Sequence, residues 1–320
     1  MTRPVEAEIE AVQRTTVRSL VGAQVMGGLG VASGVAVGAL LAANVLGRPD
    51  LAGLVQSAQV LGAALLALPA AALAVRFGRR AGLGLALAVA AGGGLVAVLG
   101  AELRYFPLLL VGMALFGGGT TAGLQGRYAA IDLAKPQHRA RTLSVVVWAT
   151  TIGAVAGPNL IGVGGRFGEL VGIEPLAGPL LIGSAALLSA AAIVWFGLHR
   201  DPLLLARRLA ASEVAPDAAD GSGAVPDTTA GSARKTGKRR GGLRTGLAAA
   251  RRSPRALLGL AAVVVAHTVM VSVMVMTPIH MDHGHASLTI IGLVISIHIA
   301  GMFAFSPVMG WLADRLGRIP

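Results

Sequence analysis

The sequence has no cysteine, which excludes disulfides and thiolate metal sites and leaves the redox compartment unreadable. Charge is also scarce. Only 13% of the residues are Asp, Glu, Lys or Arg, about half the 25% of an ordinary soluble domain. There is no Gly-Lys-Ser/Thr triplet, so a nucleotide-cradling loop is not indicated. No carboxylate falls in the middle of any long apolar run. What is present is hydrophobic: 54% of the 320 residues are apolar, and 45 are glycine. That composition points to a polytopic membrane protein. The formal net charge of +12 would suit a nucleic-acid binder, but the positions of the charges argue for a membrane protein instead.

Eight apolar stretches approach or exceed the roughly 20 residues a helix needs to cross a bilayer. They lie near Leu20–Leu46, Leu51–Ala74, Ala81–Gly100, Pro107–Gln125, Leu143–Val163, Leu176–Leu198, Ala256–Ile279 and Leu288–Leu312. The runs are unbroken, whereas barrel strands alternate over about 10 residues, so the expected class is all-α. The first stretch is too long for the core of a signal peptide, and seven more follow it.

Lysine and arginine set the orientation. With the N-terminus inside, only Arg48, Arg104 and Arg166 of the 27 basic residues lie outside, and the positive-inside rule then places the N-terminus in the cytoplasm. The expected organisation is an N-terminal tail over 1–19, a six-helix bundle over 20–198, a basic and largely disordered linker over 199–255, and two further helices over 256–320. The middle of the linker, "APDAADGSGAVPDTTAGSARKTGKRRGG", carries turn formers and no apolar period. Its basic cluster, Arg234–Arg244, reads as a solvated cytoplasmic loop or as a contact for anionic headgroups. Nucleic acid is not an expected partner; the lipid bilayer is.

A short pattern occurs twice. "WLADRLGRI" (Trp311–Ile319) follows the eighth stretch as "ALAVRFGRR" (Ala72–Arg80) follows the second. The same order in two halves is expected of parallel six-helix repeats. On these residues the chain resembles the major facilitator superfamily of transporters, whose signature connector joins the second and third helices of each half. Gly310, Asp314, Arg315, Gly317 and Arg318 match that pattern. In the first copy Arg76, Gly78, Arg79 and Arg80 match, while Ala71 replaces the leading glycine and Val75 the aspartate. "RYAAIDLAKPQHRAR" resembles the family's fourth–fifth loop through Asp132, Pro136, Arg139 and Arg141. "GAVAGPNLIG" is similar to the glycine-proline motif of the superfamily's antiporters. There Gly153 and Gly157 permit close helix contact, and Pro158 interrupts the hydrogen-bond ladder. The motif's last glycine falls one residue late, Ser144 stands where an upstream glycine is usual, and Gly112 and Met113 occupy the place of the drug–proton antiporters' arginine. The resemblance implies the superfamily's fold and alternating access, with gating at the inner-face connectors. It also implies a chain that stops after the eighth helix, because the second bundle of the family has six.

Polar residues inside apolar runs are functional candidates by default. Gln24 and Asn44 lie in the first stretch, Gln56 and Gln59 in the second, Asn159 in the fifth, His267 in the seventh, and Ser296 and His298 in the eighth. The resemblance puts the first and seventh helices at the central cavity, which favours Gln24 and His267 as substrate-pathway residues. The alternative for each is a hydrogen bond between helices. His267 and His298 are the only deep groups that titrate near neutral pH, so they are the candidates for proton coupling. His280, Asp282, His283 and His285 form a loop that reads as a plain polar turn, a pH-responsive outer gate or a weak metal site. Glycines spaced as Gly30, Gly34 and Gly38, and as Gly119 and Gly123, indicate close helix packing.

Two functional classes follow. One is a secondary transporter of small molecules without a cofactor, with proton-coupled drug or metabolite efflux as one form of it. The other is a non-transporting remnant or accessory membrane component. A membrane metalloenzyme has only the histidine loop behind it.

Overall fold

A computed structural model describes residues 3–47, 53–135, 138–214, 251, 253–305 and 308. Regular structure among them is helical: α1 (Arg3–Leu46), α2 (Gly53–Phe77), α3 (Arg79–Glu102), α4 (Phe106–Phe116), α5 (Gly118–Ala129), α6 (Arg139–Val171), a 3-10 turn (Pro175–Ala177), α7 (Gly178–Gly197), α8 (Pro202–Val214), α9 (Pro254–His283) and α10 (Leu288–Phe303). Among the described residues, seven stretches are long and apolar enough to span a membrane, and the eighth, Thr289–Met302, is shorter. The all-α polytopic class is what the residues produce.

The chain divides into two compact units, Met1–Leu209 with Val275–Pro320, and Ala210–Met274. In the first, α1 packs on α6 and α7, α3 packs on α4 and α7, and α10 packs on α6. Lipid is as apolar as leucine, so such contacts depend on close packing rather than on escape from water. Glycine provides that closeness. A Cβ on Gly153 of α6 would collide with the Val25 carbonyl of α1, and one on Gly157 would sit 2.7 Å from the Ala32 Cβ. Gly30 and Gly34 do the same for α1 against α7 and Phe116. Phe116, Leu109, Met113, Leu180 and Leu187 are fully buried among these crossings. Leu61, Leu65 and Leu68 of α2 point outward, as expected of a lipid-facing surface.

Three boundaries differ from the sequence reading. The fourth stretch is interrupted at Gly117, between α4 and α5, where α2 crosses so closely that a Cβ on Gly117 would meet the Gln59 carbonyl and lie 2.6 Å from the Ala63 nitrogen. The tail before Leu20 is not separate from the first helix. α1 has 44 residues, about 66 Å at 1.5 Å per residue, against a hydrocarbon core of about 30 Å. Val12, Thr16 and Leu20, four residues apart, form a buried stripe along that extension. The segment read as linker from His199 begins with a helix instead. Asp201 before Pro202 is an N-cap followed by proline at the first helical position, and three leucines continue the turn. The middle of the linker (215–250), Pro136, Arg48 and the second connector, from Gly310 to Arg318, lie outside the described residues, as does the side chain of Asn44.

Candidate functional site

The α2–α3 connector gathers several of the polar contacts among the described residues of the first unit. Gly78 caps α3 with φ of +95°, a backbone that side-chain-bearing residues rarely adopt. The next residue, Arg79, makes a fork with Asp132 after α5: Nε donates to Oδ2 at 2.8 Å and Nη2 to Oδ1 at 3.1 Å. The two side chains are 17% and 13% exposed, so this ion pair is largely shielded and its geometry is bidentate. The Arg80 guanidinium lies 4.3 Å from the Trp195 ring centroid on α7, a cation–π contact. The Arg80 backbone N–H donates to Asp201 Oδ2 at 2.8 Å. Arg76 lies over the neighbouring Phe77 ring at 5.0 Å. Arg139 Nε donates to the Ala134 carbonyl at 3.2 Å, two residues beyond Asp132, while Arg141 is exposed.

The N-terminal extension of α1 reaches the same end of the bundle. Gln13 Nε2 donates to the Ala130 carbonyl at 2.8 Å. Glu10 pairs with Lys135 at 2.7 Å and Glu8 with Arg200 at 2.8 Å, both exposed and therefore weak. Asp201, Trp195, Glu8 and Glu10 were missed by motif reading because they lie outside the motifs. The Asp-Pro start of α8 is a signal that would have found the first of them.

The polar residues inside the spans do not form one cluster. Gln24 is buried at 6% exposure, and its Nε2 donates to the Gly123 carbonyl at 3.0 Å, joining α1 to α5. Gln59 is 2% exposed, and its Oε1 has no hydrogen-bond partner among the described residues. Gln56 is half-buried. Asn159 bridges α6 to α10. Its Nδ2 donates to the Val155 carbonyl at 2.8 Å and to Ser296 Oγ at 2.7 Å, and Ser296 Oγ donates to the same carbonyl at 2.7 Å. Beside this triangle Gly292 approaches so closely that a Cβ there would strike the Pro158 carbonyl. The glycine-proline segment is thus the place where α10 docks. His298 is exposed on α10. His267 is exposed on the part of α9 that belongs to the second unit. His280, Asp282, His283 and His285 are exposed at the end of α9, and no group of three potential ligands is placed to hold a metal among the described residues.

Comparison with known proteins agrees with this architecture. The chain is 34% identical over 305 residues to YddS, an uncharacterized MFS-type transporter of Bacillus subtilis, covering 95% of this chain and 65% of the relative. It is 37% identical over 295 residues to YdeG, another uncharacterized MFS-type transporter of that organism, covering 92% and 64%. The riboflavin transporter RfnT of Brucella anthropi is 30% identical over 285 residues, covering 89% and 63%. The chain thus spans a little under two thirds of the length of these relatives. No solved structure matches it. The family profile of the Major Facilitator Superfamily matches residues 20–320, and with the paired Arg79 connector and the close-packed α1–α6 crossing in place, the chain belongs to that superfamily.

Proposed function

We propose that the protein is a secondary transporter that moves a small molecule across the cell membrane by alternating access, with its N-terminus and the α2–α3 connector on the cytoplasmic side. The observation that carries this reading is the family match over residues 20–320, joined to a polar connector network at one end of the bundle. The charge distribution supports the orientation, since the inner side holds nearly all the basic residues. Substrate would pass between the two halves, near the bilayer midplane, as in transporters built from parallel repeats. The likeness of Gly153–Gly162 to the antiporters' glycine-proline motif favours efflux driven by an opposing ion flow. His267 and His298 are the groups that would carry a proton, because no carboxylate lies in mid-span.

The similarity to the riboflavin transporter RfnT makes riboflavin the first compound to test. The full-length protein reconstituted in liposomes should move labelled riboflavin, or a member of a panel of amphipathic drugs, faster than protein-free vesicles do. A pH step across the membrane should change that rate. Flux equal to that of empty vesicles across the whole panel would count against transport. Flux indifferent to pH would count against proton coupling alone.

A further inference from the structure

The first connector lacks the carboxylate that its sibling carries at Asp314; Val75 stands there instead. A carboxylate nevertheless reaches this connector, from the other end of the bundle's chain. Asp201 Oδ2 accepts the backbone N–H of Arg80 in the first turn of α3 at 2.8 Å. Its Oδ1 accepts the N–H groups of Leu203 and Leu204 in the first turn of α8, at 3.1 and 3.2 Å. One side chain therefore satisfies otherwise unpaired donors at two helix N-termini, and its negative charge lies at the positive end of both dipoles. Gly78 makes the arrangement possible twice over. Its φ of +95° suits glycine, and a Cβ at that position would collide with the Asp201 carboxylate. A second bond runs the same way: Arg207 Nη1 of α8 donates to the Val75 carbonyl at 2.5 Å.

We infer that Asp201 is a shared helix cap that fastens α8, the head of the central linker, to the signature connector. The first turns of α3 and α8 therefore hold each other in place, and a displacement of the start of α8 acts on the connector through this carboxylate. The fastening is independent of transport; its consequence for gating rests on the transporter reading. Asp201 is a positioning residue, not a substrate contact.

Amide hydrogen exchange on the full-length protein in nanodiscs tests this without any substrate, and so separately from the transport proposal. Asp201→Ala should speed exchange about tenfold, the scale of losing an N-cap, in peptides covering the first turns of both α3 and α8. Asp201→Asn keeps one oxygen acceptor and sets an amide donor where the other oxygen stood, so it should spare one helix start and loosen the other. Gly78→Ala should reproduce the loosening of α8 in the natural background and add little to it once Asp201 is alanine. In Asp201→Ala, an increase confined to α8 would reduce Asp201 to a local cap and overturn the inference, as would unchanged exchange in both peptides. A peptide from the α1–α6 crossing serves as the folding control and should stay protected in every variant. Should Asp201→Ala fail to fold, Gly78→Ala decides the matter: faster exchange at the start of α8 supports the shared cap, and unchanged exchange there overturns it.

Discussion

The α6–α10 bridge permits a quantitative test. Ser296 is 2% exposed, accepts a hydrogen bond from Asn159 and donates one to the Val155 carbonyl. Ser296→Ala removes both bonds and leaves one Asn159 N–H without its partner, while the Val155 carbonyl keeps its bond from Asn159. Interhelical hydrogen bonds in membranes average about 0.6 kcal/mol and reach about 1.7, so two of them should cost about 1–2 kcal/mol. Asn159→Ala should cost a similar amount. The double variant should lose less than the sum, with a coupling of about 0.6–1.7 kcal/mol for the direct bond. SDS-induced unfolding of the full-length protein in mixed micelles, followed by tryptophan fluorescence, measures all four corners of the cycle. Strictly additive losses, with coupling below about 0.3 kcal/mol, would refute the bridge. Gly292→Ala is a useful companion, because its new methyl meets the backbone carbonyl of Pro158 rather than a flexible side chain. It should destabilise by about 1–3 kcal/mol through overpacking.

Other outcomes follow from the same geometry. Arg79→Ala and Asp132→Ala should each destabilise by about 2 kcal/mol, and the double variant by less than their sum, because either single change strands a largely shielded charge; the unfolding titration reads this. Gly153→Leu should abolish a folded, monodisperse protein on size-exclusion chromatography, since its side chain would have to occupy the place of the Val25 backbone. Lys135→Ala should leave the unfolding midpoint within error, because its pair with Glu10 is exposed. His267→Ala should abolish the response of transport to a pH step if this histidine carries the proton; an unchanged pH response would transfer that role elsewhere.

Much of the fold was legible because membrane spans depend on composition over about 20 residues, and that signal survives in a single sequence. The connector was legible for another reason. Gly78, Arg79 and Arg80 stand in a fixed local order, and so does Asp132 in its own loop. Their partnership across 53 positions of chain has no local signal, and the fork between Arg79 and Asp132 appears only in the folded structure. Asp201 was not legible as a connector residue, because nothing local says which second helix an N-cap will reach. The intramembrane polar residues show the same limit. Gln24 and Asn159 looked alike in the sequence, as single amides in apolar runs. Packing gives Gln24 a backbone carbonyl on α5 and Asn159 a serine on α10. Those partners are set by the rotation of each helix, which apolar runs of low amphipathicity do not encode.

The central claim is a carrier that exposes one site to the two sides of the membrane in turn. Counterflow tests it most directly. Proteoliposomes holding the full-length protein are loaded with excess unlabelled riboflavin, or another compound that shows flux, and diluted into a trace of the labelled form. An alternating-access carrier should drive a transient accumulation of label inside, above its equilibrium level. Label that only relaxes to equilibrium, at the rate seen in protein-free vesicles, would contradict the account.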